Sequence, residues 1–194
     1  DLAKPEHYAW VQSQMEVSNF IDHQVAQIYC DNTDAGGNIR YWRPKRAGGR
    51  WRWILFDTDW GFGLYDPMAW QHDAIQFFTD PDGPRWPNPP WSTFLLRSLL
   101  RNKDFKQQFI NRLCDRLNTD FAPQRVLAEM NWFERTLEPE MPRHLQRWRQ
   151  SSAVWQRNLT VLREFAEKRP DFLRESLARH FKLGQLATLE IEPS

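Results

Sequence analysis

The sequence predicts a mainly α fold, a helical bundle that carries one β-hairpin. Three observations lead there. Apolar residues recur at three- and four-residue intervals through most of the chain. One stretch, residues 39–56, is instead aromatic and β-branched with a Gly-Gly in its middle. The composition, 41% hydrophobic against 26% charged over 194 residues, is that of one folded domain or a large piece of one.

Each element follows from local pattern. A first helix is expected through Tyr8–Met15. A second is expected from Asn19, because Asn19-Phe-Ile-Asp22 offers a side-chain acceptor at the N-cap and an acid three residues on. Phe20, Ile21, Val25 and Ile28 then fall on one face, so this helix is buried along that face and delivers the chain to Asp31. Asp31-Asn-Thr-Asp34-Ala-Gly-Gly-Asn38 has no period and is dense in turn formers. Ile39-Arg-Tyr-Trp-Arg43 and Trp51-Arg-Trp-Ile-Leu-Phe56 read as paired strands, with Trp51, Trp53 and Leu55 sharing a face. The second strand runs straight into Asp57-Thr-Asp59. Residues 64–92 are rich in proline and poor in periodicity, which predicts a long functional loop.

Beyond that loop the pattern is helical. Leu95, Leu96, Leu99 and Leu100 mark one helix, and Phe105, Phe109, Leu113 and Leu117 the next. Pro123 opens another, with Val126, Leu127, Met130 and Phe133 as its stripe. Leu145 and Trp148 mark a further one. Trp155, Leu159, Leu162 and Phe165, then Phe172, Leu173, Leu177 and Phe181, predict two more. Residues 186–194 alternate like a strand leading out of a domain that spans 1–185. With Asp1 as its first residue, the chain reads as a piece of a longer protein.

Several function classes drop out on composition. Lys+Arg 26 against Asp+Glu 25 leaves net +1, so no overall field draws in nucleic acid or an acidic membrane. No apolar run approaches the ~20 residues of a membrane span. Cys30 and Cys114 are too few for a disulfide framework or a zinc site; they could pair with each other, and single buried thiols are the commoner arrangement. The five histidines, His23 among them, show no ligand spacing, and the serines lack a His–Asp arrangement. The arginines of the hairpin, Arg40, Arg43, Arg46, Arg50 and Arg52, interleave with Tyr41, Trp42, Trp51 and Trp53; stacking of arginine on tryptophan is expected there, and nucleic acid is not an expected partner.

The acidic turn is the sharpest chemical feature. Asp57 and Asp59 point the same way from an extended segment, which suits shared coordination of a hard cation by oxygen. Taken alone, an Asp-x-Asp is more often a solvated turn. It gains weight beside Asp34 and Asn38, which flank Ala35-Gly-Gly37 and are returned to Asp57 by the hairpin. Acid, short loop, amide, hairpin, acid, Phe-Gly is the running order of a protein kinase catalytic segment.

These residues resemble the spore-coat-protein-H (CotH) kinase family. The likeness is carried by Asn19-Phe-Ile-Asp-His-Gln-Val-Ala-Gln-Ile-Tyr-Cys-Asp-Asn-Thr-Asp34, Ile39-Arg-Tyr-Trp-Arg-Pro44 and Trp51-Arg-Trp-Ile-Leu-Phe-Asp-Thr-Asp-Trp-Gly-Phe-Gly63, and more loosely by Trp91–Arg97, Glu140–Arg143 and Trp155. It implies the C-terminal lobe of a divergent protein kinase fold. It further implies transfer of the ATP γ-phosphate, with Mg²⁺ or another divalent cation, to Ser of spore-coat or cell-envelope proteins. By position, Asp34 resembles the catalytic aspartate; Asn38 and Asp57 resemble the pair that holds metal and nucleotide, with Asp59 the adjoining metal ligand. Three departures accompany the likeness: the 34–38 loop is one residue short, Phe-Gly follows Asp57 by five residues, and no strand-borne Lys or nucleotide-covering segment precedes the site. The isolated chain is therefore expected to bind ATP weakly and to transfer phosphate slowly or not at all. Two other readings remain: a non-catalytic cell-surface binding module, with Trp86-Pro-Asn-Pro-Pro-Trp91 as a sugar or peptide platform, and a hydrolase using Asp34 and Asp57.

Overall fold

A computed structural model describes residues 1–83 and 89–184. The elements run α1 (Pro5–Gln14), α2 (Val17–Cys30), β1 (Arg40–Trp42), β2 (Arg52–Ile54), α3 (Ala74–Thr79), α4 (Pro90–Leu99), α5 (Lys103–Asn118), α6 (Pro123–Leu137), α7 (Met141–Trp148) and α8 (Ser152–Phe181). The mainly helical class with one small antiparallel hairpin is as expected.

α2 is the axis of the core. Phe20, Ile21, Val25, Ile28 and Tyr29 are buried along it and meet Phe105, Phe109, Leu113 and Leu117 of α5 and Leu173 and Leu177 of α8. Each such side chain contributes about 1.5–3 kcal/mol on leaving water. α5 starts where Asn102 accepts from the Asp104 and Phe105 N–H groups, a side-chain cap on two otherwise orphan donors.

α2 begins at Val17, two residues before the sequence-based start, and Asn19 is not its cap. The Asn19 amide instead grips β2: the Trp53 N–H donates to Asn19 Oδ1 at 2.6 Å, and Asn19 Nδ2 donates to the Trp53 carbonyl at 3.2 Å. Trp51 adds two backbone bonds to the α1–α2 joint, receiving the Glu16 N–H at 2.9 Å and giving its own N–H to Gln14 at 2.9 Å. The hairpin is thus stitched to α2 along one edge. Its pairing, Arg40 with Ile54, Tyr41 with Trp53 and Trp42 with Arg52, sorts side chains by face. Tyr41, Trp51 and Trp53 gather on the inner side, where Trp53 meets Phe20 edge-on at 4.7 Å. Arg43 stacks on Trp51 at 5.0 Å, as expected of a hairpin rich in arginine and tryptophan. Leu55 does not join that side; β2 has ended, and Leu55 is exposed.

Three further expectations need correction. The 64–92 segment is not structureless: a 3₁₀ turn forms at Ala69–Gln71, and α3 buries Ala74, Ile75 and Phe78. Its prolines at 67 and 81 flank these elements, and Asp73 caps α3 through the Gln76 N–H at 3.0 Å. The last two predicted helices are one, because α8 continues through Pro170. An internal proline forfeits a helical bond, and here the neighbouring Arg169 anchors the same turn from within the core. α6 packs on α8 through half-buried Val126, Leu127 and Met130, but Phe133 faces outward. Cys30 and Cys114 are unpaired. The expected strand at 186–194 and most of the Trp86–Trp91 platform lie outside the described residues.

Candidate functional site

The site is built at the C-terminal end of α2. Asp31 closes that helix in the left-handed region, φ 56°, which aspartate tolerates better than most residues. The last carbonyls of any helix lack partners within it, and here Arg169 of α8 supplies them. Its guanidinium donates to Ile28 and Tyr29 of α2 at 2.8 and 3.1 Å, and to Ala69, Trp70 and His72 at 3.2, 3.0 and 2.6 Å. The Arg169 side chain is fully buried, with the Asp31 carboxylate 3.6 Å away. Asp31 also pairs with His72 Nδ1 at 2.6 Å. That hydrogen bond raises the His72 pKa, with burial opposing and the Asp31 charge assisting.

Asn32, fully buried, joins the two halves of the site. Its Oδ1 accepts the Asp34 N–H at 3.3 Å, while its Nδ2 donates to the Asp57 carbonyl at 3.2 Å and to Gln27 Oε1 at 2.8 Å. The loop then turns through successive short backbone bonds, and Asn38 Nδ2 reaches back to Asp34 Oδ2 at 2.8 Å. Asp34 and Asn38 are thereby brought together, as their spacing predicts.

After β2 the chain enters the acidic turn. Asp57 sits at φ 53° and Phe62 at φ 54°. The Phe62 N–H bonds the Cys30 carbonyl at 2.9 Å, which draws the turn against the end of α2. Gly61 permits that approach, since a Cβ there would lie 2.6 Å from the Cys30 oxygen; Gly63 holds φ 81° with room for no Cβ beside Val161. Phe62 fills the gap between Tyr29 and Phe165.

Asp57 and Asp59 are exposed at the surface. The Asp57 carboxyl is held above its ordinary range by partial desolvation, by a hydrogen bond with Asp59 that requires a shared proton, and by the charges of Asp59 and Asp34, with Arg40 opposing. Asp57 is exposed, so the crowding of three acids is the physically telling cause. Asp57 and Asp59 are neighbours, and Asp34 is close enough for its charge to act on Asp57. Among the described residues no hydrogen bond joins Asn38 to Asp57 or Asp59, and no group of three or more His, Cys, Asp or Glu is placed to hold a metal ion by itself. The donor set is nevertheless of the right kind for a hard divalent cation: oxygen atoms only, with mutual repulsion that a cation would relieve. β1 and β2 turn a second face outward beside these acids, where Trp42, Ile54 and Phe56 are exposed and Arg40 lies 4.7 Å over Phe56.

Asn32, Arg169 and His72 were not singled out from the sequence. Asn32 had a faint signal in its place two residues before Asp34. Arg169 had none, because its partners lie 97 to 141 residues away. His23, which shows no ligand spacing in the sequence, is buried with Nε2 unpartnered among the described residues.

Residues 2–173 match the protein family described as CotH kinase protein. No curated protein and no solved structure gives a match.

Proposed function

Because this chain belongs to the CotH kinase family, we propose that it contributes the catalytic acids of a metal-dependent kinase that phosphorylates serine on envelope or spore-surface proteins. The single observation that supports this reading is that buried Asn32 ties the two acid-bearing segments together, accepting the Asp34 N–H and donating to the Asp57 carbonyl. ATP would supply the γ-phosphoryl group, and Mg²⁺ or a similar cation would neutralise its charge. Asp57 and Asp59 hold the cation, with the Asn38 amide oxygen as a further ligand. Asp34 orients the serine hydroxyl and accepts its proton, and the Asn38 amide fixes the Asp34 carboxylate that does so. Asn32 keeps both acids in register through their backbones. The outward face of the hairpin offers an apolar surface for the nucleotide base. In this reading residues 1–185 correspond to a kinase C-terminal lobe. Nothing among the described residues closes over that face, so weak ATP binding is expected of this chain by itself.

The test uses the full-length protein with labelled ATP and a divalent cation. Asp57→Ala and Asp34→Asn should each lower transfer to serine at least about 10²-fold, and a chelator should abolish it. Unchanged turnover in Asp57→Ala would remove that residue from the mechanism. Robust turnover by residues 1–194 alone would overturn the open-face reading.

A further inference from the structure

The net charge of +1 conceals a local segregation. Between Met141 and Asn158 the chain carries Arg143, Arg147, Arg149 and Arg157 and no Asp or Glu. Taking those four from the 26 basic residues leaves 22 against 25 acids, so the rest of the chain is net −3. The segment comprises α7, the turn at Arg149 (φ 54°) and the start of α8. None of its residues is buried, and all but Met141, Leu145, Val154 and Trp155 are exposed.

α7 has two chemically distinct faces. Met141, Leu145 and Trp148, spaced i, i+4, i+7, form one stripe, and Arg143 and Arg147 stand on the opposite side. The apolar stripe is not covered: Trp148 is 63% exposed, with the Arg147 guanidinium 5.9 Å from its ring. Just upstream, α6 exposes Trp132, Phe133 and Leu137. Of the four arginines only Arg143 has a carboxylate partner among the described residues, Glu140 at 3.4 Å. Both partners of that pair are solvent-exposed, so it holds Arg143 weakly. Three arginines and a tryptophan therefore stand at the surface with nothing in the fold to occupy them.

Arginine on the polar face and Trp, Leu or Met on the other let a helix lie in the headgroup layer of a bilayer. We propose that α7 and the start of α8 dock this protein on a bilayer surface that carries anionic phospholipid. Trp148 and Leu145 enter between the headgroups, and the arginines reach the lipid phosphates. The net −3 of the remainder is repelled, so the molecule approaches with this end first. A second copy fits the face poorly, because it would set like arginines against one another. Nucleic acid would answer the arginines and leave the Met141–Leu145–Trp148 stripe in water. The binding is peripheral and reversible, since α7 offers only two turns of apolar surface. Asp59 and Asn158 line one cavity, so docking holds the acidic turn near the surface. The docking itself does not use the acids and stands whether or not they transfer phosphate.

Vesicle sedimentation with the 194-residue chain tests this. Vesicles of phosphatidylcholine with about one-third phosphatidylglycerol should retain the protein at least about tenfold better than pure phosphatidylcholine, and about 1 M salt should erase the difference. Arg147→Glu combined with Arg157→Glu should lower partitioning at least about 25-fold. Trp148→Ser leaves the charge alone and should weaken it about fivefold. All three positions are exposed, so the circular dichroism spectrum should not change. Arg46→Glu makes the same kind of charge reversal in the exposed hairpin loop and should leave partitioning as it was. Equal retention by both vesicle types, unaltered partitioning in both the double variant and Trp148→Ser, or an equal loss in Arg46→Glu would overturn the surface. So would a dimer that Trp148→Ser dissolves, which would give the face to a second copy, or a single-stranded oligonucleotide that binds more tightly than the vesicles.

Discussion

At Arg169 one guanidinium answers five backbone carbonyls from two segments, the end of α2 and residues 69–72. Arg169→Met would leave those carbonyls buried without donors and Asp31 without its cation. The expected loss is about 3–5 kcal/mol, read as a lowered urea midpoint with native slope. His72 acts on the same node with a pH signature. Its folded pKa is raised, so its bond to Asp31 contributes fully below the unfolded value near 6.5 and fades as pH rises through the higher folded value. The melting-temperature gap between the native chain and His72→Gln should therefore be wider at about pH 5.5 than at about pH 8.5. A gap that grows toward alkaline pH would refute the assignment. Neither residue announces itself in the sequence: a lone arginine beside a proline, and a histidine without ligand spacing, carry no local pattern.

The hairpin makes a different point about elements. Two three-residue strands are too short to stand alone in water, and Asn19 holds them together with the Trp51 backbone bonds and the Trp53–Phe20 contact. Asn19→Ala should cost about 1–3 kcal/mol through the freed Trp53 N–H. The Trp53 amide should then exchange with deuterium much faster, while the amides of α5 stay as protected as before. Uniform exchange across both would mean that the hairpin is held otherwise. Strand pairing and the Asp34–Asn38 contact were legible because they depend on period, turn composition and spacing within short stretches of chain. The Asn19 cap was misread because the side chain that could bond its own helix bonds a strand instead. α3 was missed because flanking prolines masked a single buried turn, and the continuity of α8 because a proline usually ends a helix.

Across the whole molecule, burial is uneven. α2 and α5 form the dry centre, whereas α6 and α7 contain no fully buried side chain and carry exposed Trp132, Phe133, Leu137 and Trp148. Sparse burial means low local stability. In hydrogen-exchange experiments α6 and α7 should therefore open at lower free energy than α2, and equal protection would contradict that ordering. The acids sit on the well-anchored side of this divide, behind α2 and the Arg169 turn.

The distance in sequence between Arg169 and the carbonyls it serves also orders events during synthesis. The segment bearing Asp34 and Asp57 leaves the ribosome well before the cation that sets the end of α2 has been translated. A polypeptide terminated between Asp59 and Arg169 would carry all three acids and still lack the fastening at the end of α2.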